Sequence, residues 1–366
     1  MKSDLFYYDC NLPALPVNQT LPGMKKFSYF FKIYTGGVMF LDRTGTIKAP
    51  VRTKSLYPMP ALRPMPKTYE ELCNERAQEL LKRADDLGVR MYVFWSGGID
   101  STCVLVSLLK NSTPAQRDNI TVVMSEDSIA ENPNFYYDHL RGKIDLEPGT
   151  MAPYLFLGGD YFIVNGEHND QLFGSDMVAK FIAKYGESYI NRPYSRDVIF
   201  ALFDGMTQDA AMTNLFMDTF ERLRNAAPID IATNHDFFWW INFCLKWQLV
   251  NMFVLTYASP RNAPHITNEY RQTHYAPFYN TEEFQVWSMN NLDKRIKDTW
   301  ESYKWVCKDV IYDFTKDADY RDHKTKRGSR YFLLKNQFSF SHIDENMRFL
   351  KQDELAEFSQ PDNDFL

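Results

Sequence analysis

Two hydrophobic periods run through this chain. The runs Val89-Arg90-Met91-Tyr92-Val93-Phe94, Ile120-Thr121-Val122-Val123-Met124 and Tyr161-Phe162-Ile163-Val164 are apolar almost throughout, as strands buried on both faces of a parallel sheet are. Between them, and through most of the second half, apolar residues recur every three or four positions, the spacing of helices with one face in a core. Thr68-x-x-Glu71 forms a capping box opening a helix that runs to about Leu87, where Gly88 closes it. Further helices are expected over 101–111 and, after the Asn132-Pro133 cap, to about Leu140, with a turn at Ser112-Thr113-Pro114. From Gly174 onward the spacing predicts helices around 170–185, 196–225, 229–256, 281–292 and 295–315. Strand–helix alternation of these lengths implies an α/β fold, a doubly wound parallel sheet with a helical C-terminal half. Ligands of such sheets bind beyond the carboxyl ends of the strands.

The flanks are less regular. Residues 1–26 carry Pro13, Pro16 and Pro22 and read as an extended arm. The aromatic and β-branched runs 27–34 and 38–41, split by Gly36-Gly37 and followed by Arg43-Thr44-Gly45 and Thr46-Ile47, read as a small β meander. It would serve as a lid, a dimer contact or a partner dock. Prolines 58, 60, 64 and 66 then form a stiff linker. The expected organisation is an arm, meander and linker over 1–67, an α/β core over 68–185, a helical part over 186–335 and a polar tail over 336–366.

Composition narrows the classes. Net charge is −6, so the surface as a whole does not attract nucleic acid, though a local basic patch stays open. The 16% aromatic content points to core, including the stripe Phe237-Phe238-Trp239-Trp240, rather than to a base-stacking surface. Cysteines 10, 73, 103, 244 and 307 include no Cys-x-x-Cys pair, which argues against a zinc ribbon, an iron–sulfur site or a disulfide framework. No apolar run approaches the roughly 20 residues of a membrane span, and Met1-Lys2-Ser3-Asp4 opens no signal-peptide core. The expectation is a cytoplasmic protein without a membrane partner.

The chemistry concentrates in two stretches. Trp95-Ser96-Gly97-Gly98-Ile99-Asp100-Ser101-Thr102 follows the first strand and opens a helix. Two glycines let backbone N–H groups turn inward, Ser96 and Ser101 add hydroxyls, and the helix N-terminus favours an anion, so the loop reads as a phosphate cradle. Asp100 among phosphates makes sense with Mg²⁺ between the negative partners. Asn165-Gly166-Glu167-His168-Asn169-Asp170-Gln171-Leu172-Phe173-Gly174 leaves the third strand. It brings two more acids, Glu167 and Asp170, towards the same crevice, enough for metal ligation with one acid left for catalysis.

Ser-Gly-Gly-Ile-Asp-Ser after a strand resembles the PP-loop of the ATP pyrophosphatases, which split ATP between the α and β phosphates; no Gly-Lys-Ser/Thr follows, so it is not a Walker A loop. The second stretch resembles the Ser-Gly-Glu-Gly-Ser/Ala-Asp-Glu segment of the asparagine synthetase family, which includes β-lactam synthetase. The resemblance covers about residues 89–330, strongly at these two motifs. It implies that Asp100 and Asp170 hold Mg²⁺–pyrophosphate, that Glu167 lies at the acyl-adenylate, that Asn165 and Gly166 run past the adenosine, and that Phe94, Val123 and Met124 flank the adenine. Ser96, Gly97, Gly98 and Ser101 would cradle the phosphates. His274–Asn280 resembles, more loosely, the family's Arg-Val-Pro-Phe-Leu-Asp step. Tyr303–Ile311 and Arg321–Gly328 resemble its lysine-bearing helix and trailing basic segment, which makes Lys304, with Lys308 as rival, the lysine neutralising charge at the α-phosphate. The basic cluster Lys324-Thr325-Lys326-Arg327-Gly328-Ser329-Arg330 either clamps a polyanion or is a solvated loop.

Departures from the family pattern include His168-Asn169 in place of a small pair and Gln171 in place of an acid, so the acid or acceptor would differ. Position 2 is Lys2 rather than the cysteine of the family's glutaminase domain, which the first 67 residues are also too few to form. The resemblance thus implies an ATP- and Mg²⁺-dependent ligase joining a small-molecule acid, through a carboxylate or amide-type oxygen, to an amine or ammonia, with homo-oligomerisation left open. Two alternatives stand beside it: a PP-loop enzyme modifying a nucleobase or nucleotide, and a nucleotide-binding module without chemistry.

Overall fold

The computed structural model describes residues 4–7, 16, 19–27, 41–149, 160–174, 176–251, 268–325, 343–344 and 354–360. The chain forms two compact units, one made of residues 60–173 and 257–338, the other of 1–59, 174–256 and 339–366. The boundaries expected from the sequence lie near 67, 185 and 335.

The first unit is built on a five-stranded, all-parallel sheet. Its strands are β1 (Arg90–Phe94), β2 (Ile120–Met124), β3 (Asp145–Pro148), β4 (Tyr161–Asn165) and β5 (Tyr275–Pro277), in the spatial order β3-β2-β1-β4-β5. The three strands with apolar runs lie centrally, where Val93, Val122, Phe162, Ile163 and Val164 are fully buried. β3 and β5 form the edges. β3 reads Asp-Leu-Glu-Pro and β5 has three residues, so neither carries the strand pattern that marks the centre. From β1 the order runs one way through β2 to β3, and β4 begins the run on the other side. Chains leaving β1 and β4 therefore start side by side at the carboxyl edge, the point where ligands collect in open α/β sheets.

Helices α1 (Tyr69–Leu87), α2 (Ile99–Asn111), α3 (Asn169–Phe173), α4 (Glu282–Asn290), α5 (Trp305–Thr315) and α6 (Ala318–His323) complete what positions the site. Thr68 and Glu71 form the expected capping box of α1, and Gly88 closes it in the left-handed conformation. α1, α2 and α5 pack on one another. Buried Arg76 ties α1 to the end of β5, donating to the Phe278 and Pro277 carbonyls at 3.0 and 3.3 Å and pairing with Glu79 at 2.7 Å. The helix expected up to Leu140 starts at Pro133 under the Asn132 cap but finishes as a π-turn over Tyr136–Leu140, and Thr113 caps a short helix, Pro114–Asp118, in place of a simple turn. The expected helix over 295–315 begins only at Trp305, after a 3₁₀ turn at Trp300–Ser302. Ile296 and Tyr303 are buried but sit on loop, which imitates helical spacing.

The second unit is helical: Asp176–Tyr185, Arg196–Thr207, Ala210–Asn225, Asn234–Leu245 and Trp247–Asn251. The span 196–225 breaks at Gln208, left-handed, where Asp209 caps the next helix. Every residue of Asn234–Leu245 is buried, so the aromatic stripe is core. Leu5–Tyr7 pairs antiparallel with Ile343–Asp344.

The expected Thr46-Ile47 strand is a turn instead. The Asp42 carboxylate accepts from Thr44 N at 2.8 Å and Ile47 N at 2.6 Å, replacing ladder bonds with a local side-chain turn. Next to it, Arg43 is buried over the Phe243 and Trp247 rings and donates to the Tyr57, Phe243 and Pro58 carbonyls. Residues 24–27 form a helical turn, Phe27 N donating to the Gly23 carbonyl at 3.0 Å, where the sequence predicts an extended arm and the start of the meander. Residues 28–40 of the meander, the cluster from Lys326 to Arg330, residues 252–256 of the 229–256 span and most of the tail lie outside the described residues. Among the described residues no helix is long and apolar enough to cross a membrane.

Candidate functional site

The loop after β1 is fixed by its own serines. Ser101 Oγ accepts from Ser96 N at 3.0 Å, lies 3.0 Å from Ser96 Oγ and donates to the Gly98 carbonyl at 3.3 Å. Trp95 is buried below, its indole N–H on Thr102 Oγ1 at 3.0 Å. Gly97 has φ +76°, and a Cβ there would collide with the Ser128 carbonyl and approach Glu131 Cβ to 2.8 Å. Only glycine fits both demands. Gly98 is the extended N-cap of α2, which puts Asp100 in the first turn of that helix.

The two motifs touch through backbone. A Cβ on Gly166 would come within 2.9 Å of Ser101 N and 3.0 Å of Asp100 C, so the turn after β4 lies directly on the helix start after β1. Asn165 shapes that turn, accepting from Glu167 N at 3.1 Å and donating to Tyr275 Oη at 2.9 Å. His168 follows in the left-handed region, φ 77°, and is buried, as is Gln171. A carboxylate in place of Gln171 would have to be desolvated.

Three side chains then meet. Lys304 Nζ lies 2.5 and 2.6 Å from the two oxygens of Asp100 and 2.6 Å from Asp170 Oδ1. The lysine is 1% exposed while the carboxylates keep 25% and 28% of their side-chain surface. Burial, the largest single influence, pulls the ammonium pKa down, yet the two carboxylates together outweigh it and the net shift is upward, so the lysine is charged. Lys304 itself is left-handed, φ 60°, as N-cap of α5. Four non-glycine residues among the described ones have positive φ. Gln208 and Lys316 are helix C-caps, where this is routine, whereas His168 and Lys304 are at the site.

Asn169, in the first turn of α3, supports Asp100. It donates to Asp100 Oδ1 at 2.7 Å and to Cys307 Sγ at 3.4 Å, and accepts from Tyr69 Oη at 2.8 Å. Tyr279 Oη donates to the Asp100 carbonyl at 3.1 Å. Beneath lie Cys73, Cys103 and Cys307, all fully buried and free, each near enough to bear on its neighbour's ionisation. Burial and the Cys103 contact push the Cys307 thiol well up, so it stays protonated. Their separation in sequence hides this grouping, and no local signal marks Asn169, Tyr69 or Tyr279 as neighbours of Asp100.

The remaining expected residues fall as follows. Phe94 and Val123 are register partners on β1 and β2, and with Met124 they are buried at the strand ends. Glu167 is half-buried on the turn itself. Lys308 is not at the carboxylates: its ammonium donates to the Glu301 carbonyl and, at 3.3 Å, to that of Lys324, and burial pushes its pKa down. Lys324, the part of the basic cluster within the described residues, pairs with Glu131, whose side chain walls Gly97.

Among the described residues no three His, Cys, Asp or Glu side chains are grouped to hold a metal by themselves. Asp100 and Asp170 nevertheless fit Mg²⁺ in donor chemistry. Both converge on one cation, both reach solvent, and Mg²⁺ ordinarily takes one or two carboxylates and fills its octahedron with phosphate oxygens and water. No protein-family model matches the chain, and no curated protein matches it either.

Proposed function

We propose that this chain is an ATP-dependent ligase of the asparagine-synthetase-like PP-loop kind, which cleaves ATP to AMP and pyrophosphate and joins the activated acid to an amine or ammonia. The observation that carries the reading is the convergence of Asp100, Asp170 and Lys304 beside a glycine loop, at the reversal point of a parallel sheet. The strand order, with this loop at the reversal, also supports a doubly wound PP-loop fold.

Each residue then has a task. The backbone of Gly97 and Gly98 and the hydroxyls of Ser96 and Ser101 would bind phosphate oxygens at the start of α2. Phe94, Val123 and Met124 would wall the adenine, and Asn165-Gly166 would pass the adenosine. Asp100 and Asp170 would hold Mg²⁺, which when bound would neutralise charge on departing pyrophosphate. Glu167 would orient or deprotonate the nitrogen nucleophile, and Lys304 would stabilise negative charge at the reacting centre.

The test uses purified protein, Mg²⁺ and ATP labelled at the α-phosphate, with and without a small-metabolite extract. Extract-dependent AMP with equimolar pyrophosphate, absent in Asp100→Asn, supports the ligase and gives an assay for fractionating its substrate. ADP with orthophosphate refutes α–β cleavage. Tight ATP binding without turnover favours the module without chemistry.

A further inference from the structure

Lys304 occupies the point on which the Asp100 and Asp170 carboxylates converge. Its ammonium is within 2.6 Å of both carboxylates, and Asn169 Nδ2 also donates to Asp100 at 2.7 Å. An ammonium and a metal ion cannot share those oxygens at these distances, because like charges so close repel by several kcal/mol even at the effective dielectric near a protein surface, roughly 4 kcal/mol at 4 Å. The lysine is also held there by its backbone: a left-handed N-cap whose N–H donates to the Arg295 carbonyl at 2.8 Å and whose carbonyl starts α5. The backbone at the start of α5 is thus fixed, and from it the side chain reaches the carboxylate pair.

We propose that Lys304 is an internal cation that fills the divalent-metal position of the nucleotide-free protein, and that metal and lysine exchange places when nucleotide arrives. This rests on the reading of Asp100 and Asp170 as the metal ligands. The exchange makes metal binding depend on nucleotide: phosphate oxygens compensate both the metal and the displaced ammonium, which swings from the carboxylates to the phosphates. Metal alone has no such compensation. The site thus refuses free divalent cations and accepts them with their nucleotide.

The test is Mn²⁺ binding, read from the free-ion electron paramagnetic resonance signal, for the whole protein with and without α,β-methylene-ATP. The wild-type chain should bind Mn²⁺ weakly alone and tightly with the analogue. Lys304→Met should bind Mn²⁺ alone on the order of tenfold tighter or more, and Lys304→Met combined with Asp170→Asn should lose that gain. Equal Mn²⁺ affinity of wild type and Lys304→Met without nucleotide overturns the exchange; if the analogue still promotes Mn²⁺ binding in wild type, the metal reading survives that failure. No Mn²⁺ binding under any condition overturns both. Should Lys304→Met fail to fold, the ¹⁵Nζ resonance of Lys304 in wild type, assigned by difference with Lys304→Arg, decides. It should shift on adding Mg²⁺ with analogue and stay in place with Mg²⁺ alone, and the reverse overturns the proposal.

Discussion

Lys304 Nζ sits 2.5 and 2.6 Å from the two carboxylate oxygens of Asp100, although the residues are 204 positions apart. That ion pair ties the first turn of α2, after the glycine loop, to the start of α5, and a third group, Asp170 in the first turn of α3, shares the same ammonium at 2.6 Å. Removing one partner would leave the others mismatched in a mostly buried setting, which is why the site's chemistry and its local stability are coupled.

Gly166 sets the distance between the two motifs. Gly166→Ala should force the turn off Ser101 and Asp100, costing about 1–3 kcal/mol of stability and lowering turnover by about 100-fold or more through misplacement. Gly97→Ala should be at least as severe, since its φ of +76° adds strain to the clash. Urea unfolding and AMP formation measured on the same preparations check both.

Much of this region was legible in the sequence, and the reasons are local. Val89–Phe94, Ile120–Met124 and Tyr161–Val164 carry enough apolar residues to declare central strands, and Thr68, Glu71 and Gly88 mark the ends of α1 by their side chains or lack of one. Acids and glycines at strand ends point to the crevice. What escaped is non-local or backbone-driven. β3 and β5 are too short and polar to stand out, and the turn at 42–47 depends on one aspartate outcompeting a ladder. The left-handed start of α5 at Lys304 and the meeting of Cys73, Cys103 and Cys307 arise only when distant segments pack.

Asn169 is the neutral support of Asp100. Asn169→Leu removes donors to Asp100 and Cys307 and the acceptor of Tyr69, so a loss of about 1–3 kcal/mol is expected from the groups left unpaired. Tyr69→Phe, which removes one of these bonds, should cost about 1 kcal/mol. Thermal unfolding with and without Mg²⁺ and ATP should also show a smaller ligand-induced rise for Asn169→Leu.

Arg43 anchors its loop to the aromatic helix of the second unit. Burial pushes its guanidinium down to about 9, which leaves it charged at neutral pH, held by carbonyls and ring faces. Arg43→Met should destabilise that unit by about 2–4 kcal/mol, because three carbonyl acceptors and two ring contacts lose their partner. Tryptophan fluorescence during urea unfolding reads it, since Trp239, Trp240 and Trp247 lie in that core.

His139 supplies a pH dependence. Burial, opposed by Asp138 and assisted by Lys143, lowers its pKa in the folded chain, where the ring lies against Phe135 and Phe314. The unfolded chain takes up the proton first, near pH 6.5, so stability is intact above that value. It falls as pH drops from there to the lower folded pKa and then levels off. His139→Phe should flatten this part of the profile, and an unchanged profile in urea titrations between about pH 7.5 and 5 would count against the assignment.

The proposed cleavage of ATP between its α and β phosphates at Asp100, Asp170 and Lys304 is read most directly by isotope exchange between labelled pyrophosphate and ATP. With Mg²⁺ and the acid-containing extract fraction, label should enter ATP at a rate that drops by about 100-fold or more in Asp100→Asn and Lys304→Met. Exchange of label from ADP instead, or pyrophosphate exchange unaffected by both substitutions, would contradict the account.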